Sequence, residues 1–256
     1  MASLTGRKAL VTGASSGIGR AIARAFAENG AAVAVGGRDS DRVQRTCQEV
    51  EGVGALAVAV LGDVSDVAQA ERVVDEAASG LGGLDIVVNN AGIDVGDWCK
   101  VHEWPVDSFD EVIAVNLRGP FLVSKYAIPH LLKNDRSSML HISSVCAITV
   151  WEGDCAYDMS KAALNMLSDH IAVEYGAQGI VSTTLMPGVI RTELHERVME
   201  DMGDGRAFER ELVGRHPIGR FGTVEEVADA AVFLCSNQAP FLTGANISID
   251  GGYSRV

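Results

Sequence analysis

The sequence predicts an α/β fold: a doubly wound, seven-stranded parallel sheet with helices on both faces. Two observations lead to this prediction. Short apolar runs rich in β-branched residues alternate with amphipathic segments along the whole chain. The runs are bounded by Gly, Asp or Asn, as is typical of strands buried on both sides. Because crossovers between parallel strands are right-handed, the intervening helices should cover both faces of the sheet.

Seven segments have the length and composition of such strands, and helix signals lie between them. The strands are predicted at residues 9–12, 32–35, 55–61, 85–89, 138–142, 180–185 and 245–249. The first helix carries an apolar stripe that includes Ile18 and Ile22 and ends before Gly30, a suitable C-cap. Asp39 or Ser40 is suited to cap the next helix.

Three further helices are predicted over residues 107–133, 157–175 and 224–235. Gly119–Pro120 lies inside the first of these and is expected to kink it. Residues 190–216 are long, highly charged and outside the alternation of strands and helices. We interpret this segment as either a surface insertion or a lid over a substrate site.

Length and composition favour one packed domain over residues 1–256. The 256 residues include 28 Gly and only 6 Pro, and 47% are hydrophobic, which suits a compact fold with tight turns. The formal charge of −13 disfavours nucleic acid and anionic membranes as partners. The sequence contains no apolar run of membrane-spanning length.

Cysteine and histidine spacing bears on compartment and metal binding. The 5 cysteines are scattered without a C-x-x-C pair, and the 6 histidines show no metal-ligand spacing. We therefore expect reduced thiols in a cytoplasmic protein and no metal site built by the protein.

A glycine-rich turn follows the first predicted strand. Residues 12–19 read Thr-Gly-Ala-Ser-Ser-Gly-Ile-Gly and open the first helix. Glycines at such a turn let a phosphate approach backbone N–H groups at the positive end of the helix. The spacing differs from the usual G-x-G-x-x-G, and glycine turns also serve packing alone. Its place between a strand and an amphipathic helix favours nucleotide binding.

The end of the second strand bears on which nucleotide binds. It reads Gly36-Gly37-Arg38, without the carboxylate that would bind an adenosine ribose and repel a 2′-phosphate. The Arg38 guanidinium favours NADP(H), with NAD(H) as the alternative. Arg38 also suits a solvated loop position, and Asp39 beside it partly cancels its charge.

Tyr157 and Lys161 are four residues apart, so they share one face if the segment is helical. A fixed ammonium next to a phenol favours the phenolate and lowers the phenol pKa. Such a Tyr can act as a general acid or base near neutral pH. Tyr and Lys at this spacing also occur on ordinary helices, so the pair alone leaves both interpretations open.

Taken together, these motifs resemble the short-chain dehydrogenase/reductase family over essentially the whole chain. The resemblance rests on residues 12–19, Asp63-Val64, Asn89-Asn90-Ala91-Gly92, Asn116, Ser144, Tyr157 with Lys161, Pro187-Gly188 and Asp250-Gly251-Gly252. It implies a single-domain Rossmann fold and an enzyme that transfers hydride between NADP(H) or NAD(H) and a ketone or secondary alcohol (EC 1.1.1.-). It further implies a homotetramer or homodimer.

The resemblance assigns four catalytic residues: Asn116, Ser144, Tyr157 and Lys161. The family places its Ser thirteen residues before the Tyr, which selects Ser144 rather than Ser143. Ser144 and Tyr157 would bind the substrate oxygen, with Tyr157 as proton donor. Lys161 would lower the Tyr157 pKa and hold the nicotinamide ribose. The Asn116 carboxamide would hold a water that links Lys161 to solvent, or would simply fill a helix irregularity.

The cofactor contacts implied by the family follow the same motifs. Where NADP(H)-preferring relatives often carry Lys or Arg, this chain has Ser16, so phosphate recognition would rest mainly on Arg38. The cofactor-binding residues are Gly13, Ser15, Ser16, Gly17, Ile18, Gly19, Arg38, Asp63, Val64, Asn90, Ala91, Gly92, Tyr157, Lys161, Pro187, Gly188, Val189, Ile190 and Thr192.

No motif fixes the substrate. Trp151 is suited to wall the pocket or to pack in the core, and His195 on the lid is more typical of a surface residue. The candidates for the pocket are Asp94, Val95, Val145, Cys146, Trp151, Asp154, Cys155 and His195. Substrates from acyl or polyketide β-ketones to steroids, sugars and cyclic ketones remain open. A catalytically silent sensor or scaffold would show erosion at Tyr157 or Lys161. An extended-branch epimerase would have a longer chain.

Overall fold

The computed structural model describes residues 3–192 and 205–256. Within these residues, seven parallel strands form one sheet in the order β3-β2-β1-β4-β5-β6-β7. The strands are β1 (Lys8–Val11), β2 (Ala32–Gly37), β3 (Ala57–Leu61), β4 (Ile86–Asn89), β5 (Ser137–Ile142), β6 (Ile180–Pro187) and β7 (Asn246–Ile249). Each lies within two residues of its predicted ends. The predicted α/β class is confirmed, and the fold is a Rossmann fold.

Helices cover both faces of the sheet. The described helices are α1 (Gly17–Glu28), α2 (Ser40–Gly52), α3 (Val67–Leu81), α4 (Val106–Ile113), α5 (Gly119–Leu131), α6 (Cys155–Tyr175), α7 (Gly205–Gly214) and α8 (Val224–Cys235). Helix α3 was not singled out from the sequence, and α6 begins two residues earlier than predicted. The Asp39 side chain caps α2, as expected of one of the two candidates, by accepting from the Arg42 N–H at 3.0 Å.

The core has two layers because successive strand residues point to opposite faces. On β1, Val11 packs in the layer under α1 and α8 with Phe26 and Val227. Its neighbour Leu10 packs in the opposite layer, under α3 and α5. All four side chains are fully buried, and burial of this kind contributes roughly 1.5–3 kcal/mol per large apolar side chain.

The order of strands places a crevice beside β1. Leu10 of β1 lies opposite Ala34 of β2 on one side and Val87 of β4 on the other. The chain therefore winds away from β1 in both directions, and the loops after β1 and β4 separate at their carboxyl ends. In open α/β sheets, ligands bind at such a switch point.

The long helical segment is irregular at a different place from the one predicted. A π-helical turn (Ala114–Arg118) joins α4 directly to α5, before the expected kink at Gly119–Pro120. Pro120 lies in the first turn of α5, where its missing N–H is tolerated. The widened turn directs Asn116 into the interior, where it is 0% exposed.

Only part of the predicted lid can be placed. Residues 193–204 lie outside the described residues. The Arg191 N–H donates to the Gly222 carbonyl at 3.0 Å, so the start of the segment is fixed beside the loop before α8. The end of the segment is α7. Among the described helices, none combines the length and apolar character needed to cross a bilayer.

A capping box holds the start of α8. The Thr223 hydroxyl accepts from the Glu226 N–H at 3.3 Å, and the Glu226 carboxylate accepts from the Thr223 N–H at 2.9 Å. We expect Thr223→Ala to lower the free energy of unfolding by about 1 kcal/mol, measured by urea denaturation. Thr223→Ser keeps the hydroxyl and should restore most of the loss. Equal losses in both variants would argue against the cap.

Candidate active site

A cavity of about 740 Å³ opens at the carboxyl ends of the central strands and gathers most of the predicted site residues. It runs from the glycine turn to the start of α6. The predicted residues that line it are Gly13, Ser15, Ser16, Gly17, Ile18, Gly19, Arg38, Asp63, Val64, Asn90, Ala91, Gly92, Asp94, Ser144, Val145, Cys146, Trp151, Asp154, Tyr157, Lys161, Pro187, Gly188, Val189, Ile190 and Thr192.

The glycines of the turn are needed for different structural reasons. A Cβ on Gly13 would lie 2.8 Å from the Ala91 Cα, and one on Gly19 would overlap the Asn90 amide. These two glycines permit close packing. Gly17 has φ +52°, and a Cβ there would meet only Thr192, at 3.7 Å. The turn at the start of α1 is thus open toward the cavity.

The start of α1 has the properties of an anion site. Ser16 is the N-cap, and its side chain makes no capping hydrogen bond. The first N–H groups of a helix have no partner within the helix, and the helix dipole makes this end positive. Together with the open backbone at Gly17, this end fits a pyrophosphate group.

Thr12 and Asn90 join the two loops that border the crevice. The Thr12 hydroxyl accepts from the Asn90 and Ala91 N–H groups at 3.1 and 3.2 Å. The Asn90 side-chain amide donates to the Thr12 and Gly13 carbonyls, both at 3.0 Å. Asn90 therefore fixes the shape of the crevice itself. Thr12 was missed as a site residue, although a polar residue ending an apolar strand is a usable signal.

The end of the cavity beside β2 carries two guanidinium groups, Arg38 and Arg42. Arg38 lies 3.5 Å from the Asp63 carboxylate, and Arg42 lies 3.7 Å from Asp39. Burial acts to raise the pKa of Asp63, but hydrogen bonds from Ser65 and the Arg38 charge bring it below its usual value. The Asp39 carboxylate is used to cap α2. Arg42 was not among the residues predicted from the sequence.

Helix α6 places Tyr157 and Lys161 one turn apart on the cavity wall. The Lys161 Nζ lies 5.4 Å from the centre of the Tyr157 ring and donates to the Ile142 carbonyl at 3.0 Å. Lys161 is 4% exposed, and burial lowers its pKa to about 8. Ser144 follows β5 in the chain. Its hydroxyl accepts a hydrogen bond from the Cys146 N–H at 3.2 Å and faces the Tyr157 hydroxyl.

The sequence predicted that Lys161 lowers the Tyr157 pKa, and this direction was wrong. Burial raises the pKa of Tyr157 above its usual value, the Cys146 thiol adds to this, and the Ser144 hydrogen bond opposes it. The Lys161 ammonium is itself buried and is directed to the Ile142 carbonyl. Desolvation of the phenolate is therefore the largest effect on this pKa, and Tyr157 is protonated at neutral pH.

Ser143 has a different position from Ser144. Its hydroxyl donates to the Lys161 carbonyl at 3.1 Å, and its N–H donates to the Leu185 carbonyl at 2.8 Å. It thereby supports the backbone of α6 next to Lys161. This geometry agrees with the choice of Ser144 as the residue that faces Tyr157.

Asn116 lies behind the cavity. Its Oδ1 accepts from the Ile93 N–H at 2.8 Å, and its amide donates to the Ile93 carbonyl at 2.8 Å and to the Ser160 hydroxyl at 3.2 Å. Both amide hydrogens are therefore used within the protein, and only the second lone pair of Oδ1 is left for the expected water. The Asn116 side chain holds the loop after β4 against α6.

Two pocket candidates lie elsewhere. Val95 and Cys155 pack against the buried cluster of Trp104, Val112 and Ala156 and do not line the cavity. Both flank cavity residues in sequence, but their side chains point to the opposite side. His195 lies outside the described residues.

Trp151 lines the cavity and faces a second indole that the sequence analysis missed. The rings of Trp98 and Trp151 are 6.5 Å apart with planes at 53°, and both line the cavity. The Arg215 guanidinium lies 5.8 Å from the Trp151 ring. Trp98 belongs to no sequence motif, so it can be recognised as a site residue only from its proximity to Trp151 in the structure.

His216 links α7 to the loop after β6. Its Nδ1 lies 2.7 Å from the Leu212 carbonyl, and its Nε2 accepts from the Val189 N–H at 3.3 Å. These partners require a neutral ring with the proton on Nδ1. Leu212 and Tyr253 also line the cavity, and Tyr253 packs on His216 at 5.1 Å. Leu212 and His216 belong to residues 190–216, the segment interpreted as a surface insertion or a lid, whereas Tyr253 was not predicted as a site residue.

Three carboxylates surround the entrance to Tyr157: Asp94, Asp154 and Asp158. Burial, followed by the charges of Asp94 and Asp158, raises the pKa of Asp154 to about 7. Burial likewise raises the pKa of Asp158, whose carboxylate accepts from the Trp151 N–H at 2.9 Å. Within the described residues, no group of three or more side chains has the arrangement of a metal site.

Comparison with known proteins finds a matching family model and similar dehydrogenases. Residues 13–254 match a family model of short-chain dehydrogenases described as "Enoyl-(Acyl carrier protein) reductase". The chain is 36% identical over 254 residues to an L-rhamnose 1-dehydrogenase (NAD(P)(+)) of Sphingomonas sp., covering 97% of this chain and 96% of that protein. It is 36% identical over 252 residues to a cis-4-hydroxycyclohexanecarboxylate dehydrogenase of Sinomonas cyclohexanicum, covering 98% and 97%.

A solved structure shares the same fold. The L-sorbose reductase from Gluconobacter frateurii, solved as a complex with NADPH and L-sorbose, superposes with a TM-score of 0.92 at 30% identity. The match covers 100% of this chain and 99% of that chain.

The buried Asp154 carboxyl makes stability depend on pH. Its pKa is about 7 when folded against a usual value of 3.8. Between these values the folded protein binds more protons than the unfolded chain, so the free energy of unfolding falls as pH rises. We expect Asp154→Asn to raise the Tm relative to wild type, by at least about 2 °C more at pH 8 than at pH 5.

The matched control is Asp110→Asn, because Asp110 is exposed on α4 and does not line the cavity. Its effect on Tm should be the same at both pH values. If Asp154→Asn behaved like this control in differential scanning fluorimetry, the raised pKa would be refuted.

Proposed function

The chain belongs to the short-chain dehydrogenase/reductase family, and from that premise we propose that it interconverts a ketone and a secondary alcohol with NADP(H). As a member of this family it is an oxidoreductase that acts on CH–OH groups. The observation that carries the proposal is the meeting of Ser144, Tyr157 and Lys161 on the wall of the cavity that begins at the positive end of α1.

The proposed roles follow from the contacts of each residue. Ser144 and Tyr157 hydrogen-bond the substrate oxygen from two sides. Because burial keeps Tyr157 protonated, its hydroxyl is ready to donate a proton to the developing alkoxide during reduction. Lys161 is held by the Ile142 carbonyl with its Nζ 5.4 Å from the centre of the Tyr157 ring, and its charge would stabilise the Tyr157 phenolate after that transfer.

The cofactor fits the cavity on several grounds. The open backbone at Gly17 and the uncapped start of α1 suit the pyrophosphate. When bound, the reduced nicotinamide supplies the hydride. Pro187, Gly188, Val189, Ile190 and Thr192 line the cavity near Lys161 and would close over the nicotinamide end.

The preference for NADP(H) rests on Arg38 and Arg42. Both line the cavity at the end of β2, and the nearby Asp39 carboxylate is engaged with the N-terminus of α2. The ion pairs of these arginines are long and half-exposed, so each is worth at most about 1 kcal/mol. A doubly charged 2′-phosphate competes well with such pairs. NAD(H) remains the second candidate.

The intact Ser144, Tyr157 and Lys161 set disfavours a silent sensor or scaffold. The chain is proposed to form one NAD(P)-binding domain over residues 1–256, with residues 190–216 as the substrate loop. A homotetramer or homodimer is proposed because large apolar side chains of α5 and α6 are exposed. These side chains are Phe121, Met159, Met166 and Val173.

The role of the phenol is tested by Tyr157→Phe. We expect kcat for ketone reduction to fall by at least about 100-fold, the lower bound of the range typical of losing a general acid. The Kd for NADPH, measured by fluorescence titration, should change little because the ring remains. Tyr175→Phe, near the other end of α6, is the matched control. Near-normal turnover in Tyr157→Phe would contradict the proposed mechanism.

Cofactor choice is tested by Arg38→Gln and Arg42→Gln. Each should lower kcat/KM for NADPH by roughly 10- to 100-fold, because a hydrogen bond to a charged group contributes about 1.5–3 kcal/mol. The value for NADH should change much less. Arg45→Gln, exposed on α2 and away from the cavity, is the control. Parallel losses with both cofactors would argue against a 2′-phosphate site.

A further inference from the structure

The wall of the cavity next to Tyr157 is acidic and aromatic. Asp94 and Asp154 line the cavity together with Trp98 and Trp151, and Asp158 lies behind them against Trp151. We call these three carboxylates and two indoles the acidic wall. The mechanism proposed above uses none of them.

Asp154 is the buried carboxyl of this wall. It is 4% exposed, and its Oδ1 has no hydrogen-bond partner among the described residues. It stands at the N-cap of α6 but makes no capping hydrogen bond. The Tyr157 backbone N–H interacts with the Asp154 carboxyl, but a buried carboxyl oxygen without a donor is costly. Because Asp154 lines the cavity, rotation of its carboxyl would bring this oxygen to a donor on a bound molecule.

Trp98 supplies the complementary group. Its indole Nε1 is buried and, among the described residues, has no acceptor. One wall of the cavity therefore contains a carboxyl oxygen and an indole N–H that have no partner among the described residues. A hydroxyl group satisfies both, because its hydrogen donates and its oxygen accepts. An ammonium group satisfies only the carboxyl, since it has no acceptor.

The local charge restricts the substrate further. Asp94 and Asp154 face the cavity and Asp158 is directly behind, while Arg215 on the Trp151 ring is paired with Glu211 at 2.7 Å. Asp154 is partly ionised at neutral pH because its pKa is about 7, and together with Asp94 and Asp158 it gives this wall a negative charge. A carboxylate or phosphate on the substrate would be repelled from this position.

The spacing along α6 indicates where the hydroxyl is placed. Asp154 is the N-cap of α6, Tyr157 lies in the first turn of that helix, and the Asp154 charge acts on the Tyr157 hydroxyl, so the two side chains lie close together. A substrate oxygen held by Tyr157 therefore brings the adjacent one or two carbons next to Asp154. Hydroxyls on those carbons are the groups that the acidic wall can reach.

We propose that the acidic wall selects a neutral, polyhydroxylated substrate, a ketose, an α-hydroxy ketone or the corresponding polyol, with a hydroxyl one or two carbons from the reacting carbon. This inference rests on the proposed function, because it takes the substrate oxygen to lie at Tyr157. The indole faces of Trp98 and Trp151 pack against the C–H groups of such a molecule.

Four small ketones separate the alternatives because they share an acetyl group and differ in one substituent. These are hydroxyacetone, butanone, aminoacetone and pyruvate. With NADPH, wild-type kcat/KM for hydroxyacetone should exceed that for each of the other three by at least about tenfold, which corresponds to the ~1.4 kcal/mol of one good hydrogen bond. L-Sorbose tests a full-length ketose in the same assay.

Variants assign the preference to the wall. Asp154→Leu should lower the ratio of hydroxyacetone to butanone by at least about tenfold, and Asp154→Asn, which retains an oxygen acceptor, should lower it less. The control Asp110→Asn should leave the ratio unchanged. Cofactor binding by each variant is measured in parallel to show that it is folded. Preference for butanone, pyruvate or aminoacetone in the wild type, or an unchanged ratio in Asp154→Leu, would overturn the inference.

A binding measurement separates this inference from the proposed function. In Tyr157→Phe loaded with NADPH, tryptophan fluorescence should report tighter binding of hydroxyacetone than of butanone. If no ketone is reduced by the wild type but this preference persists, the proposed function fails and the subsite stands. If ketones are reduced without any preference for the hydroxyl in either measurement, the subsite fails and the proposed function stands.

Discussion

The junction between the turn after β1 and the loop after β4 is the constraint on which the rest of the site depends. Thr12 and Asn90 close this junction with four hydrogen bonds between the two loops, all of 3.0–3.2 Å. The glycines at positions 13 and 19 permit the contact, since a side chain at either would meet the β4 loop. The start of α1 and the wall before Lys161 are therefore fixed relative to each other, which a ligand spanning both requires.

The same junction explains how the catalytic candidates are placed. Gly92 lies in the loop after β4. A Cβ at this position would lie 3.3 Å from the Asn116 oxygen and 3.4 Å from the Lys161 Nζ. The π-helical turn brings Asn116 to this point, where it holds Ile93. Lys161 is thus positioned from one side by β5, through the Ile142 carbonyl, and bounded from the other by the β4 loop. A buried ammonium needs such a defined acceptor, because it has lost its water.

What the sequence could predict was mostly local or carried by a motif. The strands, the glycine turn and the Tyr157–Lys161 pair depend on periodicity and spacing within a few residues, and these were located well. The direction of the Tyr157 pKa shift was not predicted correctly, because it depends on how deeply the fold buries the phenol. Val95 and Cys155 neighbour cavity residues in sequence, yet they pack against another cluster, formed by Trp104, Val112 and Ala156. Trp98 became visible only when two distant loops met.

The cavity is electrically polar along its length, and this polarity links the cofactor to the substrate. Arg38 and Arg42 lie at the end beside β2, whereas Asp94 and Asp154 lie at the end beside Tyr157. A dinucleotide carrying phosphate groups would be attracted to the first end and repelled from the second, which favours one orientation in the cavity. That orientation would bring the nicotinamide, which is neutral when reduced and cationic when oxidised, toward the acidic wall. The negative charge that repels anionic substrates thereby also keeps the phosphates at the arginine end, so one distribution of charge serves both selections.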